Sequence, residues 1–175
     1  LLALTRLANP LSVPLLAVAL KKEEETLREE LLTGLQKAPL SFVEGLQEVI
    51  LPLLQDENVK VRVESVKVLA RMQQSSLSLI SSLADANPQV RREAAIGLGN
   101  FGAPTATEAL MNVLNDSDRE VRMAAVKSLG ALRDSTAVPA LAQCFEWADD
   151  EEREVVCKAI AAVPQQELFC LIDEL

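Results

Sequence analysis

The chain has 175 residues, 49% hydrophobic and 25% charged, a balance suited to one soluble domain with a substantial core. Aromatics make up 3%, and the lack of His and Tyr removes the usual general base near neutral pH and the commonest metal ligand. A formal net charge of −9 disfavours a broad nucleic-acid or anionic-membrane contact, because both need a cationic surface.

In chain order, Leu1, Leu4 and Leu7 form a helical stripe that Asn9-Pro10 ends, and the start at Leu1 without Met reads as the tail of a helix in a longer chain. A helix is expected from Val13-Pro14, with Pro in its first turn, carrying Leu15, Leu16, Ala19 and Leu20. Lys21 to Glu25 is a charged turn, followed by a helix with Leu27, Leu31, Leu32 and Leu35 on one face. Ser41-Phe-Val-Glu44 has the form of a capping box opening a helix through Leu46, Val49, Ile50, Leu53 and Leu54, which Pro52 should kink or shift in its hydrogen bonding. The next helix starts near Asn58 and carries Val61, Ser65, Val66, Leu69 and Met72.

The pairing of helices then recurs. Leu77 to Leu83 precedes Pro88 to Phe101, Ala106 to Leu114 precedes Arg119 to Leu132, and Val138 to Phe145 precedes Asp150 to Val163. Pro164 closes the last helix, and Gln165 to Leu175 reads as the first helix of a further pair. No apolar run approaches the ~20 residues that span a bilayer, so no membrane insertion and a cytoplasmic location are expected. Cys144, Cys157 and Cys170 are an odd count among apolar neighbours, which favours small buried hydrophobes over a disulfide framework.

Columns of identical residues make the repeat explicit. Arg28, Arg62, Arg91, Arg122 and Arg153 are spaced by 34, 29, 31 and 31 residues. Four positions before the arginine stand Asn58, Asn87, Asp118 and Asp149, where the second helix needs an N-cap, and six before it stand Asp56, Asp85 and Asp116. Seven after it come Leu35, Leu69, Leu98, Leu129 and Ile160, and then mostly small residues, Ala70, Gly99, Gly130 and Ala161. Such a period built of helix pairs implies an all-α solenoid, in which each repeat buries its apolar face against the next; a closed bundle would not require the columns.

At these columns the sequence resembles the HEAT-like repeats of the type first recognised in phycobilisome lyase subunits. The best matches run from Asp85 to Gly99 and from Asp116 to Gly130. The resemblance implies a right-handed α-α superhelix of about five helix pairs with partial repeats at both ends, a single solenoid domain over 1–175. It also implies that the Asp and Arg columns are a structural ladder, Asp at the turn within each repeat bonding to nearby backbone and to the arginine. The match fades outward: Lys22 and Trp147 break the Asp column, and Glu152 replaces the Val before arginine. Trp147 reads as a packed replacement for the missing Asp or as an interface anchor.

No catalytic, cofactor or metal site is legible. The acidic runs Glu23 to Glu25 and Asp149 to Glu152 lack the spacing of a calcium loop and suit helix starts. Gly97 to Gly102 imitates a nucleotide loop only in letters, since no strand precedes it. Function is better sought on the outward positions of the second helices, which line the concave side of such solenoids. There Glu30, Glu64 and Glu93 form a carboxylate row, beside which run Lys67, Lys127 and Lys158, while Ile96, Met123, Ala124 and Val155 make an apolar patch expected to be exposed. The candidate partner-binding set is Lys67, Arg92, Glu93, Ile96, Met123, Ala124, Lys127, Val155 and Lys158. Glu64 with Lys67 and Glu154 with Lys158 also read as ordinary helix-surface pairs worth ~0.2–0.5 kcal/mol each.

The expected function is a non-catalytic scaffold or adaptor binding a protein or peptide along the concave face. Two alternatives stay open. The resemblance implies a subunit of a bilin lyase or a related chromophore-handling protein, and the truncated ends allow a regulatory repeat inside a larger enzyme.

Overall fold

In the computed structural model, the described residues are 13–21, 25–72, 76–100 and 104–164. The expected helices over Leu1 to Leu7 and Gln165 to Leu175, together with Cys170, Lys22 and part of the Glu23 to Glu25 run, lie outside them. The described residues are helical and contain no strand. No helix among them is long and apolar enough to cross a membrane. Contacts within the chain group it into two compact units, Leu1–Ser82 and Leu83–Leu175.

In the first unit, α1 (Val13–Leu20) is followed by α2 (Glu25–Leu35), α3 (Leu40–Glu44), α4 (Gln47–Ile50), a 3-10 turn (Leu51–Gln55), α5 (Val59–Met72) and α6 (Ser76–Ser82). α2 and α5 pack side by side as the second helices of successive repeats. Their facing leucines, Leu31, Leu32, Leu35 and Leu69, are fully buried.

The stretch from Ser41 to Leu54 is not one capped helix. α3 begins at Leu40 after Pro39, no side chain caps it, and it stops at Glu44. Pro39 has set the helical entry one residue early, so Ser41 already lies inside the helix. Gly45 and Leu46, the latter at φ −105°, ψ 1°, break the α-helical run before α4. Pro52 acts as expected on hydrogen bonding, since the chain tightens into a 3-10 turn around it.

In the second unit, α7 (Pro88–Leu98), α8 (Pro104–Val113), α9 (Arg119–Leu132) and α11 (Asp150–Ala161) carry the repeat, with α10 (Val138–Gln143) flanked by 3-10 turns at Ser135–Ala137 and Cys144–Glu146. α9 packs against α7 on one side, α11 on the other, and α8 behind. Each second helix is started by the expected cap. Asn87 Oδ1 accepts from Gln89 N at 2.9 Å, and Asp118 Oδ1 accepts from Glu120 N at 2.9 Å and Val121 N at 3.2 Å. Leu98 and Leu129 of the leucine column are fully buried, as is Val121 before Arg122.

The small-residue column explains how the second helices come close. A Cβ on Gly99 would lie 2.8 Å from Ser128 Cβ, and one on Gly130 would lie 2.8 Å from Ala159 Cα. Only glycine leaves room at these crossings. Of the cysteines, Cys144 is a buried hydrophobe, and burial pushes its thiol pKa up. Cys157, expected to be buried, is exposed. Its column is occupied by the buried Leu32, Val66, Ala95 and Val126, but no further second helix packs beside α11 among the described residues.

Candidate functional site

The ladder is an inter-repeat device. Each arginine donates through Nη1 to the backbone of its own turn: Arg62 to Asp56 O at 2.8 Å, Arg91 to Asp85 O at 2.9 Å, and Arg122 to Asp116 O at 3.0 Å. Two arginines of the column also reach the aspartate of the next repeat within their own unit. Arg91 Nε and Nη2 each meet an Asp116 oxygen at 2.7 Å, and Arg28 Nε lies 3.0 Å from Asp56 Oδ2. The aspartate's other task is local, since Asp56, Asp85 and Asp116 accept from the backbone N–H two residues on, at 2.9, 2.8 and 2.8 Å. The Arg91 guanidinium is the main reason the Asp116 carboxyl titrates below its ordinary range, and Asp116 in turn holds Arg91 above its own. Planar, bidentate pairing fixes the geometry of adjacent repeats, which assigns these charges to structure.

At the fifth repeat the ladder is rebuilt from different residues. Trp147 replaces the aspartate, and the Arg122 guanidinium lies over its ring, 4.8 Å from the centroid. Arg122 Nε has no acceptor among the described residues, whereas Arg91 Nε has Asp116. The buried Glu152 takes over both tasks of the missing aspartate. Its Oε2 accepts from Asp149 N at 3.0 Å, completing a capping box with Asp149, while Oε1 lies 3.5 Å from Arg122 Nη2 and 3.1 Å from Arg119 Nε. Trp147, half-buried beneath Arg122, therefore stands in the ladder as a replacement for the aspartate.

The surface of the second helices carries the candidate site. Between α7 and α9 lies a groove of ≈ 280 Å³. Arg92, Ile96, Gly99 and Asn100 line it from one side, and Glu120, Met123, Ala124, Lys127, Ser128 and Ala131 from the other. Along α9 it extends from Glu120 to Ala131, roughly 16 Å at ~1.5 Å per residue. Its register follows from the repeat: Arg92 and Met123 share one column, Ile96 and Lys127 the next.

Five residues of the expected set thus line one groove: Arg92, Ile96, Met123, Ala124 and Lys127. Met123 and Ala124 are not exposed as expected. Each is 7% accessible and forms the floor, because α7 and α9 are drawn together by Gly99 and Ser128. Ile96 stands out at 40% accessible. Glu93 lies beside the groove and pairs with Arg92 at 3.4 Å. Lys67 belongs to α5 and pairs with Glu64 at 2.8 Å, and Glu64 also accepts from Gln36. Val155 and Lys158 lie on α11, where Lys158 meets Glu154 at 2.5 Å and holds its carboxyl below the ordinary range. Glu154 with Lys158 matches the helix-surface reading, whereas Glu64, 15% exposed and also bonded to Gln36, is a partly buried link as well as a surface pair.

Sequence reasoning passed over Glu120, Ser128 and Ala131. They share the face of Met123, Ala124 and Lys127 by helical periodicity, and that spacing was the available signal. No cluster of three or more potential metal ligands occurs among the described residues.

Residues 76–161 match the family model of HEAT repeats. This segment is a HEAT-repeat array. The whole chain has counterparts among solved structures, while no curated protein matches the sequence significantly. A chain of the CpcE–CpcF complex of phycocyanin lyase from Nostoc sp. PCC7120 is similar at TM-score 0.67 and 23% identity, over 86% of this chain and 99% of that one. YibA of E. coli gives TM-score 0.65 and 20% identity over 91% of this chain, which spans only 57% of YibA. A designed armadillo repeat protein in complex with the peptide (KR)4 gives TM-score 0.62 and 18% identity, over 93% of this chain and 90% of that one. At these identities the likeness establishes the fold, the HEAT and armadillo type of α-solenoid.

Proposed function

We propose that the chain is a non-catalytic protein-binding scaffold, whose groove between α7 and α9 takes an extended peptide segment of a partner protein. The observation that carries this is the groove itself: an apolar floor of Met123 and Ala124, an exposed Ile96, and charged groups at its rim, all on one face of neighbouring HEAT repeats. Hydrophobic floor and polar rim are what peptide recognition uses. A length of roughly 16 Å accommodates about five extended residues. The designed armadillo relative with its bound peptide shows that a fold of this kind can present such a surface.

The net charge of −9 favours a protein partner over nucleic acid.

The test is selection of a displayed random dodecapeptide library on the 175-residue chain, followed by hydrogen-exchange mapping with the selected peptides. Protection is expected on 88–100 and 119–132. Protection confined to other helices, or no peptide selected, would refute the proposal.

A further inference from the structure

Lys127 differs from the other lysines on the second-helix face in having no carboxylate within reach on its own helix. Lys67 has Glu64 three residues before it, and Lys158 has Glu154 four before it, and both pairs form. The residues three and four positions from Lys127 are Met123, Ala124, Gly130 and Ala131. Lys127 is exposed, and it forms no ion pair or side-chain hydrogen bond with the described residues. In a chain with 26 acidic and 17 basic residues, a cation so placed stands against the general balance. Across the groove, Arg92 is 44% accessible and among the described residues is held by its neighbour Glu93 at 3.4 Å, a contact that a better acceptor can displace. Ile96 lies one turn along α7 from Arg92 and in the repeat column of Lys127, and among the described residues the one carboxylate lining the groove, Glu120, lies two helical turns from Lys127 toward the start of α9.

Resting on the reading of this groove as the binding face, we propose that its partner is an acidic, apolar peptide segment. One aliphatic side chain packs on Ile96, Met123 and Ala124, and an adjacent aspartate or glutamate pairs with Lys127. Charge complementarity decides the sign. An apolar neighbourhood around Lys127 weakens its competition from water when a ligand covers the floor, so a carboxylate gains there what it would not gain beside Lys67 or Lys158, whose charges are already answered. Basic segments meet the unanswered charge of Lys127 at the groove's rim and are disfavoured.

The composition of the selected dodecapeptides tests this apart from their location. Enrichment of Asp or Glu next to Leu, Ile, Met or Phe is expected. By fluorescence anisotropy with one selected peptide, Lys127→Ala should weaken binding about 3- to 10-fold and Lys127→Glu more, on the scale of one charged contact partly shielded from water. Lys158→Ala should leave it unchanged, and Ile96→Ser should weaken it. Both groove positions are exposed, so circular dichroism should report an unchanged fold. Selection of basic or uncharged peptides that still protect α7 and α9 would overturn the partner chemistry while leaving the groove as the binding face. So would an affinity indifferent to Lys127→Glu. Peptides that protect only other helices would overturn both.

Discussion

Replacing Glu152 by Val, the residue type at that column in Val61, Val90 and Val121, should destabilise this protein, and adding Trp147→Asp should restore it. Glu152 is 4% accessible, and its two oxygens serve a backbone N–H at 3.0 Å and the Arg122 guanidinium at 3.5 Å. Loss of the backbone bond removes half of the capping box, a change worth about 1 kcal/mol. Loss of the charge-assisted contacts of Oε1 with Arg119 Nε at 3.1 Å and Arg122 Nη2 at 3.5 Å adds about 1.5–3 kcal/mol, offset in part because a desolvated carboxylate gives way to an apolar side chain. The net is about 2 kcal/mol, or roughly 4–8 °C in Tm for a chain of this size. Trp147→Asp alone sets a second carboxylate beside Glu152 and gives up the ring contact with Arg122, so it should destabilise too. In the Glu152→Val background the same change supplies an acceptor for Arg122 Nε, which has none, and for Asp149 N, reproducing what Asp116 does for Arg91 and Asp118. Urea and thermal unfolding of the four proteins by far-UV circular dichroism, which does not depend on the single Trp, gives the cycle. A coupling of at least ~1 kcal/mol in favour of the double variant is expected. Additivity within ~0.5 kcal/mol would refute the exchange of ladder roles between positions 147 and 152.

Three further outcomes follow from other contacts. Gly99→Ala should destabilise by about 1 kcal/mol, because a Cβ at 2.8 Å from Ser128 Cβ forces α7 and α9 apart at a cost of ~1–3 kcal/mol, against a gain of ~0.4–1 kcal/mol from a less flexible unfolded chain at this C-cap position; a higher Tm would show that the crossing yields freely. Ser65→Ala should stabilise by about 1 kcal/mol, since Ser65 is fully buried with an unpartnered hydroxyl where other repeats carry Leu31, Ala94, Ala125 and Val156, and urea midpoints check it. Asp116→Asn should cost about 2–3 kcal/mol at pH 7 by leaving Arg91 without its anion. The folded-state pKa of Asp116 is depressed by Arg91, so its contribution is present above the unfolded value near ~3.9 and is lost as pH falls through the folded value. The gap between wild type and Asp116→Asn should therefore be constant from pH 7 to about 5 and close below about 4, and a gap unchanged under acid would contradict the assignment.

The contrast between what periodicity reveals and what it hides has one physical cause. Columns such as Arg91 with Asp116, or Leu98 with Leu129, are legible because the same contact is made again one repeat later, so identity recurs with the period. Where a contact is made once, no column exists to betray it. Trp147 and Glu152 look like two separate departures from the pattern, yet each is intelligible only through the other, since the carboxylate lost at one position is regained five residues on. Pro39 and Gly45 overrule the apparent capping box at Ser41 in the same manner, through backbone geometry that the Ser-to-Glu spacing does not contain. For the groove, the second-helix face could be named and five of its residues chosen, because offset from the arginine fixes direction. Depth could not, because Met123 and Ala124 become floor rather than surface through the close approach at Gly99 and Ser128, a distance set by two helices together. Lys127 shows the converse. Its lack of a helical partner is written in Met123, Ala124, Gly130 and Ala131, and only the folded groove sets that unanswered charge beside the apolar side chains of Ile96, Met123 and Ala124.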